Sequence, residues 1–257
     1  MNFLHTYHPQ SVLFFLGSVA IHWYGLFMMF ALSAGLLVSL RVAKKRGIER
    51  DVIYDMFFWL TIGGLVGARI FYVLYNFEYF WRQPLAIFKI WQGGIAIHGA
   101  LLVGLAVLWY MVRKQDTLMF WLLASVVAPG VALGQAIGRW GNYFNQELFG
   151  LPTTLPWGIP IDLVNRPSGF TDFIFFHPVF LYESLGDLII FMILIWMHAR
   201  AKSARFVVLT YVFLYSTLRL AMEFLRIDPT AGNFFGLRAT QALSLFFILG
   251  SLVYWRR

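Results

Sequence analysis

Long apolar runs, each close to the length of a membrane helix, alternate along this chain with short stretches that are mostly basic. A helix needs about 20 apolar residues to cross a hydrocarbon core. Seven segments fit, at roughly 20–41, 52–76, 94–112, 118–137, 177–198, 205–225 and 238–255. The apolar piece ahead of them, SVLFFLGSVAI, is broken by Gly17 and is expected to form an interfacial or extended arm. The N-terminal MNFLHTYHPQSVLFF has no basic region and no small-residue cleavage pattern, so no removable signal peptide is expected.

The basic stretches set an orientation. Arg41, Lys44, Lys45, Arg46, Arg50, Arg113, Lys114, Arg200, Lys202, Arg205, Arg256 and Arg257 fall on one side of the seven spans. Arg82, Lys89, Arg139, Arg166, Arg226 and Arg238 fall on the other. Cytoplasmic loops carry the excess of Lys and Arg. The N-terminus is therefore expected outside and the C-terminus inside. The fold class that follows is an all-α polytopic membrane protein with seven transmembrane helices. Residues 1–257 form a single integral membrane domain in this reading. Residues 138–176, rich in Pro, Gly and aromatics, make a small extracytoplasmic cap within it.

Composition agrees with the pattern. The 257 residues are 60% hydrophobic and 12% charged, with a mean hydropathy of +0.70, which leaves too little polarity to wet a soluble domain. The net charge of +8 points to anionic lipid headgroups rather than nucleic acid, because the basic residues sit between apolar runs. There is no Cys, so disulfides, thiolate metal sites and an enzyme thiol nucleophile are excluded. No His and carboxylate spacing suggests a metal cluster, and no metal or cofactor is expected.

Charged groups inside spans are costly and are functional candidates by default. Arg69, Glu183, Asp187, Arg219 and Glu223 are such groups, and His98 joins them from a glycine-rich run. Each also has a structural reading. Arg219 and Glu223 are four residues apart and can simply pair. Arg69 can snorkel to the outer surface. Glu183 and Asp187 share a face and can sit inert with one of them protonated. His98 can be a packing residue among glycines that let helices approach.

The stretch GRWGNYFNQELFG, Gly138 to Gly150, is different in kind. It crowds a cation, amides and a carboxylate between glycines at the outer end of the fourth span. Arginine is a bidentate partner for phosphate, and glycines let backbone N–H groups come close. On the residues alone, a headgroup-phosphate site and a re-entrant cap facing water both remain open.

The same stretch resembles the signature G-R-x-G-N-F-x-N-x-E-x-x-G of the prolipoprotein diacylglyceryl transferases. Gly138, Arg139, Gly141, Asn142, Asn145, Glu147 and Gly150 are in place, with Tyr143 where Phe is usual. IHWYGL resembles the first-span motif and supplies Tyr24. WQGGIAIHGALLVG resembles an H-G-G-L-I-G region and supplies His98, with Ala100 replacing the second Gly. HPVFLYE, Tyr215 with Arg219 and Glu223, and GLRATQALS also match family positions. The resemblance implies an enzyme of the bacterial cytoplasmic (inner) membrane with its active site toward the outer side. Its partners are the lipid bilayer, phosphatidylglycerol and the prolipoprotein signal peptide with its lipobox cysteine. The diacylglyceryl group passes to the cysteine thiol, a thioether forms, and glycerol phosphate leaves.

Roles follow from that implied chemistry. Arg139 takes the lipid phosphate, with Asn142 and Asn145 on headgroup hydroxyls and Gly150 among the substrate-binding residues. Glu147 orients Arg139 or the glycerol. Arg219 is a second cation, oriented by Glu223. His98 is the general-base candidate, because imidazole titrates near neutrality. Tyr24 and Tyr215 line the lipid site or donate a hydrogen bond. A secondary transporter would instead string Arg69, Glu183, Asp187, Arg219 and Glu223 into an ion path. Seven spans do not divide into equal repeats, and no internal symmetry supports that. A lipid-binding scaffold would need only Arg139 and its neighbours.

Overall fold

Backbone polar groups cannot be left open in hydrocarbon, so long apolar runs coil into helices that satisfy them internally. The computed structural model follows that rule over residues 3–89, 93–94, 96–113, 117–200, 202–227, 233–234 and 237–255. Lys114, Arg256 and Arg257 of the charge tally, and Trp91, Gln92 and Ile95 of the His98 motif, lie outside the described residues.

The helices are α1 (Phe3–Thr6), α2 (Trp23–Lys45), α3 (Arg50–Tyr75), α4 (Phe77–Arg82), α5 (Ile97–Val112), α6 (Thr117–Phe144), α7 (Val179–Ala199), α8 (Ala204–Glu223) and α9 (Ala239–Trp255). Among the described residues, five are long and apolar enough to cross a membrane: α2, α3, α6 from Leu118, α7 and α8. The predicted runs at 94–112 and 238–255 appear as shorter apolar helices, α5 and α9. The protein is thus an all-α membrane protein. Its outward side chains agree with a lipid solvent: Phe58, Trp59, Leu65, Leu101 and Leu102 are all exposed.

Two local features differ from the sequence reading. The fourth predicted span ends near 137, but α6 continues to Phe144. The polar residues there end the apolar run without ending the helix. The aromatic piece FEYFWR forms α4, too short to show a helical period, followed by a 3-10 turn at Pro84–Phe88. The arm ahead of the first span is an antiparallel hairpin of β1 (Val12–Leu16) and β2 (Val19–His22), with Gly17 at φ +62° in its turn. Two further small hairpins pair β3 (Ile159–Pro160) with β4 (Phe175–Phe176), and β5 (Asn233–Phe234) with β6 (Leu237–Arg238).

The chain divides into two compact units, Met1–Ser39 with Ala124–Arg257, and Leu40–Leu123. In the first unit, Ala128 and Ala132 of α6, Ile190, Leu194 and Met197 of α7, and Val207 of α8 form a buried core. Pro129 lies inside α6 and cannot donate to the Ser125 carbonyl four residues back. His198 Nε2 lies 2.9 Å from that oxygen and takes the missing donor's place, tying α7 to α6. Ser184 Oγ adds a second tie, donating to the Ala136 carbonyl (2.7 Å). The cap has its own core of Tyr143, Phe149, Ile159, Ile161, Phe176 and Phe180. In the second unit α3 packs on α5, and an added Cβ at Gly67 or Gly99 would strike the facing backbone.

Candidate functional site

Glu183 stands near the start of α7, five residues into a helix that opens straight after Pro178. Its carboxylate is 2% exposed and is met from two other elements. Arg139, on the last turns of α6, places Nε 2.9 Å from Oε2. Arg219, on α8, places Nη1 2.6 Å from Oε1. Arg226, just beyond α8, has Nη1 3.9 Å from Oε1. Arg219 Nη2 also reaches Glu223 Oε2 at 3.2 Å, the pairing that their spacing predicts. Glu223 in turn accepts from Arg238 Nη1 at 3.4 Å, and that same nitrogen donates to the Arg226 carbonyl at 3.1 Å.

In this network four guanidiniums meet two carboxylates. Arg139 and Arg219 keep 17% and 18% of their side chains exposed. Clustered arginines that are partly open to solvent are suited to an anion with several acceptor oxygens.

The signature stretch wraps this network from the cap side. Its first part is helix; then Gln146 (φ 50°) and Leu148 (φ 56°) take left-handed conformations, which side chains with a Cβ rarely adopt. The turn is held by local bonds. Asn142 Nδ2 and Asn145 Nδ2 both donate to Glu147 Oε1, at 2.9 and 3.3 Å. Glu147 is therefore paired with the two asparagines, whereas the carboxylate on Arg139 is that of Glu183. Gln146 is a buried hub. Its Nε2 donates to the Pro9 carbonyl (2.9 Å) and Asp162 Oδ2 (2.6 Å), and its Oε1 accepts from the Asp162 backbone N–H (2.6 Å). The bond from Gln146 holds the Asp162 carboxyl below its ordinary range, and contacts with His8 and Arg166 act in the same direction.

The glycines of the signature have separate jobs. At Gly141 the Tyr24 ring lies where a Cβ would go, 2.7 Å from its Cδ2, so Tyr24 packs against the α6 backbone beside Asn142. Gly150 donates to the His177 carbonyl (3.0 Å) and bridges Arg226, which draws Arg226 toward the network. An added Cβ at Gly150 would lie 2.8 Å from His177 Cβ and 2.9 Å from the Leu225 carbonyl oxygen. His177 Nδ1 lies 3.2 Å from the Tyr182 hydroxyl, which also accepts from Trp157 Nε1 (2.8 Å). Burial pushes the His177 imidazole below its ordinary value, toward the neutral form. Tyr215 lies one turn before Arg219 on α8 and stacks on Tyr211, whose hydroxyl donates to Gln135 Oε1 (3.0 Å).

The first unit thus brings together Arg139, Arg219 and Glu223 from the expected set, and separately Glu147 with Asn142 and Asn145. His98 belongs to the second unit, exposed on the first turn of α5 with its ring 5.9 Å from that of Phe71. Arg69, in the same unit, does not snorkel. It is buried and donates to the carbonyls of Ala86, Ile87, Gly93 and Gly94 at 2.6–2.9 Å, over the rings of Tyr72 and Phe80. It clamps the segment that leads into α5. Of the remaining members of the network, the sequence marked Glu183 only as a functional candidate without a role, and Arg226 and Arg238 only as outer-side charges. The signals available were HPVFLYE for Glu183, the i,i+3 step from Glu223 to Arg226, and GLRATQALS for Arg238.

Comparison with known sequences bears on this geometry. A family described as prolipoprotein diacylglyceryl transferase matches residues 11–257. Among similar proteins are phosphatidylglycerol–prolipoprotein diacylglyceryl transferases of three organisms. That of Trichormus variabilis is 43% identical over 252 residues, covering 95% of this chain and 88% of the relative. That of Synechococcus elongatus is 41% identical over 243 residues, covering 92% and 83%. That of Gloeobacter violaceus is 39% identical over 251 residues, covering 96% and 92%. On that coverage, the chain belongs to the prolipoprotein diacylglyceryl transferase family.

Proposed function

We propose that the arginine network around Glu183 is where this chain holds the phosphate of its lipid substrate. As a member of the family the protein is a transferase, and it moves a diacylglyceryl group from phosphatidylglycerol to a prolipoprotein. In our reading the acceptor is the thiol of the lipobox cysteine, the product is a thioether, and glycerol phosphate leaves. The observation that supports the phosphate assignment is the convergence of four guanidiniums, Arg139, Arg219, Arg226 and Arg238, on the buried Glu183 and Glu223.

Three tasks define the reaction. The leaving phosphate gains charge as the carbon–oxygen bond breaks, and preorganised guanidiniums stabilise it without reorganising at that moment. Arg139 and Arg219 do this, with Glu183 fixing the angle between them. The headgroup must be aligned, and the Asn142–Glu147–Asn145 cluster offers amide and carboxylate partners to glycerol hydroxyls. Tyr24, Tyr215 and Gly150 shape the surroundings. The thiol must lose its proton, since the thiolate is the nucleophile; the resemblance offers His98 for that step.

The finer topology belongs to the same reading. Seven spans cross the bacterial cytoplasmic membrane, with α5 and α9 as the shorter two, the N-terminus outside and the C-terminus inside. The cap then faces the outer leaflet, where both substrates reside.

The test uses purified protein in detergent with phosphatidylglycerol and a lipobox peptide. The peptide is expected to gain the diacylglyceryl mass with one glycerol phosphate released per peptide, and a peptide with Ser in place of the cysteine to gain nothing. Well-folded protein that yields neither product contradicts the reading.

A further inference from the structure

One turn beyond Glu183, on the same face of α7, lies a second buried carboxyl, Asp187. It is 0% exposed, and neither of its oxygens has a hydrogen-bond partner among the described residues. The charged and titratable groups around it are Glu183 on its own helix, Arg139 from α6, and Arg219, Tyr211 and Tyr215 from α8. Buried polar groups in native proteins are almost always hydrogen-bonded, and an exception calls for an explanation such as a catalytic role. We propose that Asp187 is a further catalytic residue of the transfer reaction, the group that takes the proton of the lipobox thiol. This rests on the phosphate reading of the arginine network.

Position supports it first. With the lipid phosphate on Arg139 and Arg219, the carbon that changes partner is one oxygen away from phosphorus, on the acyl-chain side, away from the cap. The sulfur must approach that carbon in line with the leaving oxygen, from about 3–3.5 Å in a near-attack geometry. Sulfur and phosphorus are then separated by about one helical turn. Asp187 is four residues further from the cap than Glu183, a rise of about 6 Å along α7. Its carboxyl is therefore at the depth of the sulfur, while Glu183 is at the depth of the phosphate.

Charge supports it second. In the transfer the S–H bond breaks, an S–C bond forms, and the C–O bond breaks with its electron pair on the phosphate oxygen. A phosphodiester carrying one negative charge becomes a phosphate monoester carrying two, and one proton must be placed. One ionised Asp187 and one bound phosphodiester together bring two negative charges to the arginine network. After transfer to Asp187, the monoester dianion carries the same two. The charge of the site is therefore unchanged by the step. With the proton sent elsewhere the site would gain one negative charge, which a desolvated environment disfavours.

The experiment compares Asp187→Asn, His98→Gln and Arg139→Ala in the detergent assay across pH. Asp187→Asn keeps the side-chain shape. Its kcat at neutral pH should fall by about 10²–10⁴, with the KM for phosphatidylglycerol unchanged. The lost rate should return as pH passes the thiol's own pKa of about 8.5, because the peptide then arrives as thiolate. Wild-type kcat in Asp187→Asn overturns the inference. So does a loss with no recovery at high pH, since a purely structural role does not read substrate ionisation. Recovery in His98→Gln but not in Asp187→Asn overturns it in favour of His98. Full turnover by Arg139→Ala instead removes the phosphate reading on which the inference stands. Should Asp187→Asn fail to fold, wild-type enzyme with a selenocysteine peptide gives the second measurement. That nucleophile is already ionised at neutral pH, so the fall of kcat on acidification should shrink. An unchanged fall overturns the proposal.

Discussion

Replacing Glu183 with glutamine keeps the shape of the side chain and removes its charge. Two direct contacts lose that charge, from Arg219 Nη1 at 2.6 Å and Arg139 Nε at 2.9 Å. A hydrogen bond to a charged group contributes about 1.5–3 kcal/mol, so the two together set a range of roughly 3–6 kcal/mol. The arginines are 17% and 18% exposed, so water solvates them in part and the lower end, about 3 kcal/mol, is expected. At about 2–4 °C per kcal/mol for a chain of this size, the melting temperature should drop by roughly 6–12 °C. Activity should fall further than stability explains. Two guanidiniums no longer held at a fixed angle keep their charge but lose alignment, so kcat should drop by about 10²-fold with little change in KM. Thermal melts in detergent and release of glycerol phosphate read the two effects separately. A variant that melts within about 2 °C of wild type and turns over at the wild-type rate would refute the claim that Glu183 organises the arginines.

Arg219→Lys keeps the charge but cannot span Glu183 and Glu223 at once, so kcat/KM should fall about tenfold or more, measured by peptide mass gain; full activity argues against a forked contact. Gly150→Ala sets a Cβ 2.8 Å from His177 Cβ and forces the backbone bridge to Arg226 to shift. Overpacking of this kind costs about 1–3 kcal/mol, visible in a melt, and activity should fall with it as Arg226 moves. For Asp162 the sign is fixed by its lowered carboxyl. Its contribution to docking the N-terminal segment is present above the ordinary aspartate value of about 3.9 and is lost as pH falls through its lower folded value. Limited proteolysis should show release of that segment only below about pH 4, and Asp162→Asn should remove that dependence.

The helices were legible because lipid demands long apolar runs, and each predicted run corresponds to a helix, five of them, among the described residues, long and apolar enough to cross a membrane. The arm ahead of the first span was legible for the same reason that it is not a helix: Gly17 takes a positive φ that turns the hairpin. The end of α6 was not, because Arg139 and Asn142 break the apolar run while remaining helical. Within the site, the Arg219–Glu223 pair could be read from its i,i+4 spacing. Glu183 could not be valued the same way. Spacing offered Asp187 as its neighbour, whereas its actual partners come from α6 and α8. Arg226 and Arg238 lie outside regular helices, where no period marks a residue's direction. Arg69 was hidden for another reason: its partners are four main-chain carbonyls, which leave no trace in side-chain identity.

The central claim is that Arg139 holds the lipid phosphate through which the headgroup leaves. The most direct measurement is turnover of phosphatidylglycerol by Arg139→Ala, with a thermal melt and a size-exclusion profile to establish that the variant is folded. The account predicts a folded protein that releases no glycerol phosphate above background and adds no diacylglyceryl mass to the lipobox peptide. Near-normal thioether formation by that variant would contradict it.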